Sequence, residues 1–117
     1  MSAEQLAQSC IQQLENALGR PPAELGEEVD RVERELAELR DRLIERLRAT
    51  ADVGAAARQR AVLEQVNAAL SLVVGVEYPA SGIQRQLLEQ ACNALKPLLA
   101  SGDLAQACVD APSRRLG

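Results

Sequence analysis

The sequence predicts an all-α protein, an up-and-down bundle of four main helices, and three observations carry that expectation. Of the 117 residues, 18 are Leu and 20 are Ala, both strong helix formers. Tyr78 is the only aromatic residue, so the large flat side chains that fill β-sandwich cores are missing. Apolar residues also recur at spacings of three and four through four stretches, separated by Gly and Pro. The helices are expected at about 2–18, 23–49, 55–75 and 82–100, followed by a short C-terminal helix. Residues 1–110 read as a single helical domain and 111–117 as a flexible tail.

Each element has its own signals. Ser2 and Gln5 have capping-box spacing ahead of the stripe Leu6, Cys10, Ile11, Leu14, Ala17 and Leu18. Gly19 is expected as a left-handed cap, and Pro21-Pro22 forbids continuation. The second helix carries Leu25, Val29, Val32, Leu36, Leu39 and Leu43, a coiled-coil-like heptad seam. Around it, Glu27–Arg31, Asp30–Arg34 and Glu38–Arg42 have the i,i+4 spacing of helix ion pairs.

Thr50 to Gly54 breaks the chain and forces an antiparallel hairpin. In the third helix, Val62, Leu63, Val66, Ala69, Leu70, Val73 and Val74 suggest a wide buried face, with Leu70 at the core. No charge occurs from Gln65 to Val76, so that stretch is expected to be central in the bundle or covered by another chain. Pro79 ends the helix region, and Ser81 with Gln84 repeats the capping-box spacing. The fourth stripe runs from Ile83 to Leu99 and is closed by Ser101-Gly102. Pro97 lies inside it and predicts a kink, or a restart after Lys96. Asp103 and Gln106 offer a weaker cap for the short fifth helix.

The same composition removes function classes. With no histidine, no Ser-His-Asp or Cys-His catalytic arrangement can form, nor any His-containing zinc, di-iron or haem site. Cys10, Cys92 and Cys108 are too far apart for a C-x-x-C motif. Cys10 and Cys92 read as core residues. The acidic pairs Glu24/Glu28 and Asp41/Glu45 sit beside arginines and give no reason for a perturbed acid or base. No catalytic residue, metal site or cofactor is therefore expected, and the protein reads as not an enzyme. The odd cysteine count and the charged start at Glu4 suggest an intracellular, cytoplasmic protein, with the nucleus left open.

Net charge is −4, from 17 acidic and 13 basic residues, which does not suit a nucleic-acid partner. No apolar run approaches the roughly 18–20 residues of a membrane span. Residues 23–50 hold nine acids and six arginines, so the charge is concentrated on the second helix.

What remains is contact between helix faces. The expected function is a protein–protein interaction module (adaptor, assembly subunit or helical chaperone) that self-associates as a homodimer. The candidate partner-binding residues are Val29, Val32, Leu36, Leu39 and Leu43 of the heptad seam, with Val73, Val76 and Tyr78. Tyr78 is the one rigid aromatic anchor in the chain. The same seam is equally what a helix packed inside its own bundle displays. A second expectation is a carrier of an apolar small molecule, held in a cavity between helices 3 and 4.

Overall fold

The computed structural model describes residues 2–20, 26–75, 82–102 and 104. They form α1 (Ala3–Leu18), α2 (Gly26–Ala49), α3 (Val53–Val74) and α4 (Gly82–Ala100), and no strand occurs among the described residues. α1 packs on α2 and α4, and α3 packs on the same two helices from the other side. The four helices thus close into a ring around one core, each antiparallel to its neighbours. The expected short C-terminal helix falls outside the described residues apart from Leu104, which is helical and buried.

Local chemistry explains where the helices begin and end. Ser2 caps α1 with the full box: its Oγ accepts from the Gln5 N–H at 3.1 Å, and Gln5 Oε1 accepts from the Ser2 N–H at 2.8 Å. Gly19 departs from the sequence expectation. Its φ is −89°, so α1 does not end in a left-handed cap, and its N–H folds back on the Asn16 carbonyl at 3.1 Å. The closing charge comes from another helix. Arg85 of α4 donates to the Leu18 carbonyl and, at 3.1 Å, to the Arg20 carbonyl. α1 has no basic residue in its last turn, so this guanidinium supplies the cation its C-terminal dipole favours.

α3 starts two residues earlier than the Gly-based expectation. Asp52 is the N-cap and its Oδ2 accepts from the Ala55 N–H at 2.7 Å, which draws Val53 and Gly54 into the first turn. α4 keeps its expected bounds, and Pro97 causes no restart after Lys96. The amide that proline lacks would have met the Asn93 carbonyl, on an exposed residue that water reaches, and Ser101 N–H still bonds the Pro97 carbonyl at 2.9 Å. The chain leaves the helix at Gly102, whose φ of +77° is the one positive φ among the described residues.

Leucine dominates the core. Leu6, Leu14, Leu36, Leu39, Leu43, Leu88, Leu95 and Leu104 are all fully buried, each worth about 1.5–3 kcal/mol of burial. α3 contributes smaller groups: Val62, Val66, Ala69 and Val73. Its buried face is narrow, and Leu63, Leu70 and Leu72 sit half-buried at its edges. The placing of Leu70 at the centre of the core is therefore corrected: at 100° per residue it lies off the line through Val62, Val66 and Val73.

Candidate interaction surface

The heptad seam is consumed by the chain's own core. Val29, Val32, Leu36, Leu39 and Leu43 lie between 0 and 2% exposed, and Val73 is at 1%. The residues proposed as a partner surface on α2 thus lie in the core, on a helix that packs against α1 and α3. Closing a ring of helices uses the same knobs-into-holes spacing as pairing with a second chain, which is why the pattern suits both. Val76 and Tyr78 lie outside the described residues. The structure therefore brings six of the eight candidate residues together, in the interior.

On the outside of α2, one of the three expected ion pairs closes, Arg42 Nη2 to Glu38 Oε2 at 2.8 Å. Arg40 pairs instead with its neighbour Asp41 at 3.1 Å, and Glu28 with Arg20 across the α1–α2 connection at 3.2 Å. Lys96 of α4 meets Glu15 of α1 at 2.9 Å, and that hydrogen bond raises the Lys96 pKa. Exposed pairs of this kind contribute little stability each.

Sequence reasoning passed over a polar knot between α1 and α2. Glu35 is partly buried, and its Oε1 accepts from Gln13 Nε2 at 2.7 Å and from Ser9 Oγ at 3.0 Å. Gln13 Nε2 also donates to Ser9 Oγ at 2.7 Å, and the Cys10 thiol leans on Glu35 Oε1 at 3.8 Å. The amide carbonyl of Gln13, a 9% exposed residue, has no hydrogen-bond partner. The signal was present in the sequence: Gln13 falls three residues after Cys10, on the apolar stripe rather than beside it. Gln59 does the same on α3, three residues before Val62, and its buried Oε1 is also unpartnered.

The thiols in this region have no nucleophilic chemistry to offer. Burial, then the Glu35 charge, then the hydrogen bond to Glu35 push the Cys10 pKa from 9.0 up to about 12. Cys10 is 0% exposed and stays protonated at neutral pH, so it behaves as a small apolar residue. Burial likewise raises Cys92, with Lys96 opposing the shift and Glu15 and Glu89 adding to it. Among the described residues, no group of three or more His, Cys, Asp or Glu is placed to hold a metal ion. No described helix is long and apolar enough to cross a membrane.

The exposed side of α3 is unlike the others. At 100° per residue, Ala57, Ala61, Glu64, Ala68, Ser71 and Gly75 form one line along the outside of the helix, and all six are exposed. Glu64 is the only charge on that line. Half-buried Leu72 and the 57% exposed Val74 lie beside its C-terminal half together with exposed Gln65 and Asn67, while exposed Arg58 and Arg60 border its N-terminal half. The stretch free of charge is thus divided: Val66, Ala69 and Val73 lie in the core, while Gln65, Asn67, Ala68, Ser71, Val74 and Gly75 are presented to solvent. Small outward residues let a second helix approach closely, and the flanking leucine and valine supply the apolar contact.

Compared with known proteins, the chain matches no family model, no curated protein and no solved structure.

Proposed function

We propose that the protein is a non-enzymatic interaction module, an adaptor, assembly subunit or helical chaperone, that works by docking helix to helix through the outer face of α3. The observation that carries this reading is the C-terminal half of the small-residue ridge, where Ala68, Ser71 and the neighbouring Leu72 and Val74 present a charge-free face while α2 is dense with charge. A solvated helix gains nothing from such a face, whereas a helix partner gains close backbone approach and desolvated Leu and Val edges. The simplest partner is a second copy, because a self-complementary face closes under two-fold symmetry.

Ala68→Arg tests the reading. Ala68 is exposed and mid-helix, and Arg is a good helix former, so the substitution leaves the bundle intact. In light scattering the wild type is expected at twice its 12.6 kDa, and the variant at 12.6 kDa. Equal masses for the two proteins would reject α3 as the docking face.

A further inference from the structure

We infer that the partner on α3 is a second copy of this chain lying antiparallel to the first, in a register that sets Arg58 and Arg60 of each α3 beside the C-terminal turn of the other. The inference rests on docking through α3 and adds the orientation and register of the pair.

The borders of the face carry it. At 100° per residue, Arg60, Asn67 and Val74 follow one another along one border, and Arg58, Gln65 and Leu72 along the other. All are exposed except half-buried Leu72. Both borders have the same order: a cation towards the N-terminus, an amide at the centre and an apolar side chain towards the C-terminus. A two-fold axis that runs the helices antiparallel lays each border on its own copy, reversed end to end. Each cation then meets an apolar residue, and each amide meets itself. The small residues between the borders share that centre. Their spacing of four, three, four, three and four is symmetric about position 66. Ala57 therefore comes level with the partner's Gly75, Ala61 with the partner's Ser71 and Glu64 with the partner's Ala68. Parallel copies would instead place Arg60 beside the partner's Arg58 and Glu64 against the partner's Glu64. That arrangement sets like charges together and aligns the two helix dipoles, both unfavourable.

The arginines have a further use in the antiparallel pair. α3 has no basic residue in its last turn, and neither has α1. Within the chain, α1 receives its cation from Arg85, near the start of its antiparallel neighbour α4. The partner's Arg58 and Arg60, level with Val74 and Leu72, reach the last carbonyls of α3 in the same way. Their aliphatic stems lie over those two apolar side chains. Gln65 and Asn67 carry amides that both donate and accept, so each is complementary to its own copy across the axis.

Paired cysteines read the orientation. In a Cys108→Ser background, Ala57→Cys protein is mixed with Gly75→Cys protein, oxidised with diamide and analysed by peptide mass spectrometry. Gly75 accepts a side chain, since its φ is −73° and a Cβ there would meet nothing closer than 3.5 Å. The mixed disulfide should dominate, because antiparallel copies hold their two residues 57 about 27 Å apart. Dominant Ala57→Cys and Gly75→Cys homodisulfides overturn the antiparallel pairing and leave docking through α3 standing. A dimer that forms no disulfide at either position, or a wild type that light scattering shows as a monomer, overturns both. Charge reversal gives a second reading. Arg58→Glu/Arg60→Glu should raise the dimer dissociation constant about ten-fold, with the helical circular dichroism of the monomer unchanged because both side chains are exposed. An unchanged constant would reject the register.

Discussion

Gln59 is the side chain that fits its surroundings least. It is 6% exposed and its carbonyl has no donor. A buried acceptor left unpaired costs about 1–3 kcal/mol, and Leu has nearly the same volume without the polar group. Gln59→Leu should therefore raise the thermal midpoint, by about 1–2 kcal/mol of stability at the transition. A lower midpoint would mean that the carbonyl meets a donor the geometry does not show. The opposite sign holds at Asp52. Its Oδ2 satisfies the Ala55 N–H at the start of α3, so Asp52→Ala should cost about 1 kcal/mol in urea unfolding. Cys10 adds a pH dependence. The unfolded thiol ionises near 9.0, whereas the folded one keeps its proton up to about 12. Between those values the unfolded chain loses a proton that the folded chain holds, so the contribution of Cys10 is full below pH 9 and falls as pH rises toward 12. The fall is at most about 1.4 kcal/mol per pH unit, and it should vanish from the difference profile of Cys10→Ala. These single-residue features were only partly legible beforehand. The Ser2–Gln5 box is a local pattern and reads directly, but the fate of Gln13 depends on Glu35, 22 residues away.

At the scale of the helix, burial separates leucines that look equivalent in the sequence. Leu36 is fully buried on α2, which packs against α1 and α3, while Leu70 sits half-buried at the edge of α3. Leu36→Ala should lose about 2–5 kcal/mol in chemical denaturation, and Leu70→Ala clearly less. If Leu70→Ala proved the more damaging, the inward line of α3 would be misplaced. Periodicity located all four helices, because stripes at spacings of three and four survive any arrangement of neighbours. It located the width of the α3 face poorly. An Ala- and Val-rich helix has little contrast between its sides, so the sequence pattern groups Leu63, Leu70 and Val74 with Val66 until the neighbouring helices are in place. The starts of helices followed the same logic. Asp52 outweighs Gly54 as the boundary because a side-chain acceptor fixes the first turn more firmly than a glycine interrupts it.

At the scale of the molecule, one question the sequence posed has an architectural answer. A heptad seam states that a helix has a narrow apolar line and says nothing about whose helix covers it. The ring of α1, α2, α3 and α4 covers it from within, and the surplus apolar surface reappears on the outside of α3. The seam residues were therefore legible as a contact surface, and their partner was not. Contact through that outer face is the central proposal, and static light scattering of the wild type beside Ala68→Arg tests it most directly. The wild type should scatter at twice 12.6 kDa and the variant at 12.6 kDa, with matching helical circular dichroism. A wild type that scatters as 12.6 kDa at every concentration, or a variant that remains twice that mass, would contradict it.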